Sequence, residues 1–144
     1  MIYTEMTKKA ALMAFKAHEG VYDKSGFPYV MHPLHVAESM TSEDACVVAL
    51  LHDVVEDTDI SFDDLEREGF TKTQLDAIKL LTHDENVPYL DYVKKIKENP
   101  IAREVKISDI THNSDNTRLK DITEKDIKRN EKYAKALEIL LTND

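Results

Sequence analysis

One cysteine, three glycines and four prolines are all that this chain of 144 residues contains. A single thiol, Cys46, excludes an internal disulfide and fits a reducing compartment. It lies in the apolar run ACVVALL at 45–51, where a small core residue is expected. So little glycine and proline leaves few hairpin turns, and no Asn-Gly or Asp-Gly pair separates two alternating apolar runs. No apolar stretch reaches the ~18 residues of a membrane span. The first twenty residues lack the basic flank and long apolar run of a signal peptide. Positive charge is scarce too: 19 Lys and Arg stand against 28 Asp and Glu, a formal net charge of −9. Such a chain repels nucleic-acid backbones. Neither nucleic acid nor membrane is an expected partner, and a cytoplasmic location is expected. An acidic chain still takes a phosphorylated small molecule where a metal ion and a few Lys or Arg converge.

Helix signals fill the space the turn residues leave. Residues 4–20 read as a helix ending at Gly20, followed by a loop at 21–32. Pro33 suits the first position of a helix through 40. Ser42 caps the next helix, and Ser61 precedes a short one closed by Gly69. Thr71 and Gln74 form a capping box. Pro88 and Pro100 each open a further helix. The last runs from 123 to about 141, with Ile127, Ala134, Leu137 and Leu141 near a 3.6 period. The length favours one domain, 1–144, and lets a core form without covalent staples. The expected fold is all-α, a single bundle of about seven or eight helices.

The helix after Ser42 carries the anomaly. ALLHDVVEDT, residues 49–58, sets His52, Asp53, Glu56 and Asp57 among apolar residues. On a continuous helix His52 shares a face with Glu56, and Asp53 with Asp57. Two like charges about 5 Å apart at an effective dielectric of about 20 cost roughly 3 kcal/mol. No Lys or Arg lies between Lys24 and Arg67 to offset them. Exposure relieves Asp57 and Asp59. It does not suit the His52–Asp53 pair inside an apolar helix, because buried Asp is rare without a partner.

Two further polar residues stand amid apolar ones, His32 in YVMHPLHVA and Asp109 in VKISDITHN. His32, His52, Asp53 and Asp109 make a mixed nitrogen and oxygen donor set. That set suits Mn²⁺, Fe²⁺ or Zn²⁺ with positions left for water, and the lack of a nearby Cys argues against a structural zinc. Glu56 and Asp57, one turn on, can orient or deprotonate that water. His18 ends a helix, where a capping role leads. His35 reads as surface and His83 as loop. His112 packs under the site rather than ligating.

The order His32, then His52-Asp53, then Asp109 resembles the HD-domain metal-dependent phosphohydrolases. KSGFPYVMHPLHVA, ALLHDVVEDT and VKISDITHN look like segments of the (p)ppGpp hydrolase domain of RelA/SpoT-type enzymes and their stand-alone relatives. The resemblance covers roughly residues 5–140. It implies an all-α HD bundle holding one Mn²⁺, with His32, His52, Asp53 and Asp109 as ligands and Glu56 and Asp57 activating the water. That water attacks the 3′-diphosphate of guanosine tetra- or pentaphosphate and releases pyrophosphate. Asn113 matches a nucleotide-contacting Asn and Lys24 a basic residue beside the nucleotide. No synthetase segment follows, so a bifunctional enzyme is not expected.

Two departures bear on the substrate. Asp23 stands where the family has an Arg that stacks on the guanine, and an acid makes no cation–π contact. After Asn113 the chain reads SDNTRL, which places Arg118 differently and adds Asp115. The metal and water machinery is unaffected. The alternatives are an HD hydrolase of another nucleotide or phosphoester, and a weakly catalytic nucleotide-binding regulatory module.

Overall fold

A computed structural model describes residues 1–115, 117 and 119–143. In chain order the helices are α1 (Glu5–Ala17), α2 (Met31–Glu38), α3 (Glu43–Leu51), α4 (Val54–Asp57) and α5 (Phe62–Arg67). Then come α6 (Lys72–Leu81), α7 (Tyr89–Lys97), α8 (Pro100–Asn113) and α9 (Glu124–Leu141). Among the described residues the only β pairing is an isolated antiparallel bridge between Tyr22 and Pro28. The all-α expectation holds.

The helix starts are written locally. Ser42 accepts the Ala45 amide at 3.1 Å. Asn99 accepts those of Ile101 and Ala102, both at 3.0 Å, ahead of Pro100. Capping boxes open α1, α5, α6 and α9, so orphan amides are satisfied at each start. One start lies earlier than its proline suggests. α2 begins at Met31, with Pro33 in its first turn, where the missing N–H costs nothing. His32 is therefore helical rather than in the preceding loop.

α3 is apolar on every side, and Ala45 through Leu51 are buried. A helix of that kind belongs at the centre of a bundle, and α1, α2, α6 and α8 pack around it. Cys46 is wholly buried there, as a small core residue. Gln74 of α6 donates to Asp44 at 2.8 Å, tying the start of α3 to its neighbour.

The helix through the HD pair is broken. His52 caps α3 and Asp53 caps α4, with Asp53 at φ −118° and ψ 4°. One expected helix becomes two segments. His52 therefore shares no continuous helical face with Glu56: His52 is buried, while Glu56 and Asp57 on α4 are exposed.

Candidate metal centre

The polar centre forms where α2, the α3–α4 break and α8 meet. His32, His52, Asp53 and Asp109 are all buried. His32 Nε2 lies 2.7 Å from Asp109 Oδ1, and His52 Nε2 lies 3.4 Å from the same oxygen. One donor atom from each of these three residues falls within a 4.8 Å span. Asp53 Oδ2 is 3.8 Å from His52 Nε2, so the fourth expected ligand adjoins the cluster. Its oxygens also face elsewhere: Oδ2 accepts the Tyr29 hydroxyl, and Oδ1 lies 3.3 Å from His18 Nε2. The His18 contact is an ion-pair distance without hydrogen-bond alignment.

These donors fit a divalent cation. His52 Nδ1 lies 2.6 Å from the Ala49 carbonyl, so Nδ1 carries the proton and Nε2 is the nitrogen to offer a ligand. Two imidazole nitrogens with carboxylate oxygens suit a borderline-to-hard ion, and Cys46 is elsewhere in the core. In the ion-free chain burial opposes the His52 charge. The Asp53 and Asp109 carboxylates outweigh it, and His52 is pushed up to about 9. A bound cation displaces that proton.

The centre has a built-in counter-ion. Lys106 Nζ sits 2.8 Å from Asp109 Oδ2, with only 12% of its side chain exposed, and 5.3 Å from the Tyr92 ring centroid. Burial disfavours charge on Asp109, but Lys106 and the two histidines hold its carboxyl well below the usual range. Lys106 thus takes one oxygen of Asp109 while the other faces the histidines. Asn113 donates to that second oxygen at 3.2 Å.

Beside His32 a cavity of about 160 Å³ is lined by Lys24, Tyr29, Asn113, Arg129 and Tyr133, among others. Asp23 also lines it, but its Oδ1 accepts the amides of Ser25 at 2.9 Å and Phe27 at 3.0 Å, holding the turn around Gly26. Lys24 reaches back to α9, 2.6 Å from Asp126 Oδ1. Arg118 lies outside the described residues. Glu56 Oε1 accepts the His83 amide at 3.2 Å. Partial desolvation, then the Asp53 and Glu56 charges, raises the Asp57 carboxyl. The residues not foreseen as part of the centre are His18, Tyr29 and Lys106 around the carboxylates, and Arg129 and Tyr133 in the cavity. Lys106 stands three residues before Asp109 on α8, an i,i+3 spacing that the sequence does show; His18, Tyr29, Arg129 and Tyr133 arrive through packing.

The Lys24–Asp126 pair has a testable signature. The Lys24 hydrogen bond first, then Thr123, hold Asp126 well below the usual carboxylate range. A depressed folded pKa adds stability that is complete above the unfolded value of about 4 and is lost as pH falls below it. Asp126→Asn is expected to flatten that acid limb in urea unfolding measured across pH. An unchanged acid limb would show that the pair does not tether α9.

Comparison with protein-family models finds no match. The chain is 33% identical over 96 residues to the bifunctional (p)ppGpp synthase/hydrolase SpoT of Escherichia coli K12, covering 64% of this chain and 14% of that protein. It is 36% identical over 88 residues to the guanosine-3′,5′-bis(diphosphate) 3′-pyrophosphohydrolase of Haemophilus influenzae, covering 51% of this chain and 13% of that protein. The chain thus spans about one seventh of the length of these curated relatives. Among solved structures, a metazoan ortholog of SpoT described as hydrolysing ppGpp superposes with a TM-score of 0.77 at 24% identity, over 100% of this chain and 90% of that one. No helix among the described residues is long and apolar enough to cross a membrane. The chain is a sequence relative of the SpoT/RelA-type (p)ppGpp hydrolases and has the all-α fold of the metazoan SpoT ortholog.

Proposed function

We propose that this chain is a metal-dependent phosphohydrolase that removes pyrophosphate from the 3′ position of (p)ppGpp. The observation that carries the reading is the buried convergence of His32, His52 and Asp109, with donor atoms within 4.8 Å and Asp53 alongside. Sequence kinship to SpoT and its hydrolase relatives supports the substrate class. In this reading residues 1–144 form one HD-type domain acting in the cytoplasm on a small nucleotide, with no nucleic-acid partner.

His32, His52, Asp53 and Asp109 would hold the cation, Mn²⁺ by preference and Fe²⁺ or Zn²⁺ as alternatives. A cation there supplies Lewis-acid chemistry, acidifying water and polarising a phosphoryl oxygen. Glu56 and Asp57 receive the proton that the attacking water loses. The raised Asp57 carboxyl is closer to working pH than an ordinary one, as a general base should be. Lys24, Asn113 and Arg118 are assigned to the nucleotide. Lys24 is half exposed on its Asp126 tether, so its ammonium is pre-positioned at the rim of the cavity.

The Mn²⁺-loaded protein is expected to release pyrophosphate from ppGpp. A loaded, folded protein that releases none overturns the proposal. A second reading, another nucleotide or phosphoester, is favoured by Asp23. Its Oδ1 holds the local turn, and residue 23 itself brings no positive charge to stack on a base. A nucleotide panel separates the readings, because preference for ppGpp removes the second.

A further inference from the structure

His112 is half-buried on α8, three residues past Asp109 and so close to the same helix face. Its Nδ1 lies 2.7 Å from His32 Nδ1, while His32 Nε2 faces Asp109 at 2.7 Å. The His32 and His112 ring centroids are 4.9 Å apart at 16° between planes. That separation is the nitrogen–nitrogen distance plus the two ring radii. The rings therefore lie edge to edge and nearly coplanar, joined through nitrogen, rather than face to face. A lone pair in the ring plane is the acceptor that an in-plane N–H requires. His35 of α2 covers a face of the His112 ring, with centroids 4.2 Å apart. One turn away Ser39 Oγ and Ser108 Oγ meet at 3.0 Å, so α2 and α8 are pinned beside the pair.

We infer that His112 is a positioning residue for the metal centre: its Nδ1 accepts the Nδ1 proton of His32 and so commits His32 Nε2 to the cation. This rests on the metal-site reading above. A neutral imidazole that ligates through Nε2 must carry its proton on Nδ1. With the cation on Nε2, only a bare nitrogen is tolerated 2.7 Å from the nitrogen that carries that proton, so in the loaded state His112 holds its own proton on Nε2. The bond sets both the tautomer and the ring orientation of His32, the role that carboxylates or carbonyls usually play behind a ligating histidine. His52 already has such a partner in the Ala49 carbonyl. His32 sits in the first turn of α2, and its Nδ1 has His112 instead.

The test uses Zn²⁺ alone as probe, with affinity measured by calorimetry on the full chain. His112→Leu removes the acceptor and is expected to weaken Zn²⁺ binding roughly 10–100-fold. His112→Asn, whose carbonyl oxygen overlays the imidazole Nδ1, is expected to stay close to the parent. Equal affinity in the Leu variant overturns the inference. So does an Asn variant as weak as the Leu one, which would make the role mere packing. A parent chain that binds no Zn²⁺ overturns the metal-site reading itself. Nitrogen-15 spectra of the Zn²⁺-loaded parent need no variant: protons on His32 Nδ1 and His112 Nε2 are expected, and a proton on His112 Nδ1 overturns the assignment.

Discussion

Replacing Glu56 by Gln and Asp57 by Asn together is expected to lower ppGpp turnover by about 10²–10⁴-fold while metal content per chain stays at the parent level. The two carboxylates sit on α4, one turn beyond the break, and both are exposed. They lie outside the buried set of donor atoms, so removing their charge leaves the donors in place. An amide has nearly the carboxylate's shape but does not accept the proton of an attacking water. The side-chain oxygen of the Glu56→Gln amide still accepts the His83 N–H, as the Glu56 carboxylate does, and α4 keeps its anchor. Turnover and metal content, measured on the same preparation, check this. Persistent turnover in the double variant removes Glu56 and Asp57 from the mechanism. Loss of metal together with turnover would make them ligands rather than proton acceptors.

Asp109→Asn is expected to abolish stoichiometric metal binding and to destabilise the ion-free protein by about 3–5 kcal/mol, the usual cost of leaving a buried charge without its partner. The partner is Lys106, held 2.8 Å from Oδ2 with 12% of its side chain exposed. Burial opposes the Lys106 charge, and Asp109 is the first group that restores it. Without the carboxylate the ammonium faces the Tyr89 and Tyr92 rings, whose cation–π attraction is weaker than an ion pair. A second substitution separates the two effects. Lys106→Met with Asp109→Asn removes the stranded charge, so stability should recover while metal binding does not. Unfolding by urea and metal content report the two quantities independently. A single Asp109→Asn variant as stable as the parent would show that Lys106 finds water instead.

The helical architecture was legible because its signals are local. A cap oxygen, a capping-box partner three residues on or a proline in the first turn acts within one turn of chain, and a 3.6 period follows from one helix at a time. The errors were local as well. Pro33 sits in the third helical position rather than the first, because the whole first turn tolerates a missing N–H. The helix through ALLHDVVEDT breaks at His52–Asp53, and no glycine or proline marks the place. There Asp53 takes contacts from Tyr29 and His18, which lie in the loop and helix end ahead of it in the chain.

By itself the sequence determined an acidic, disulfide-free, all-helical chain, and it nominated His32, His52, Asp53 and Asp109 as polar residues out of place. Only the tertiary structure decided which atoms face one another. His32 meets Asp109 across 77 positions of chain and His112 across 80; Lys24 meets Asp126 across 102. Contacts of that range depend on how α2, α8 and α9 pack on the buried α3. A histidine seated against another helix's histidine and an arginine brought to a cavity follow from that packing, and no spacing rule reaches so far along a chain. The Lys106–Asp109 pair, three residues apart on α8, owes its burial to the same packing but not its spacing.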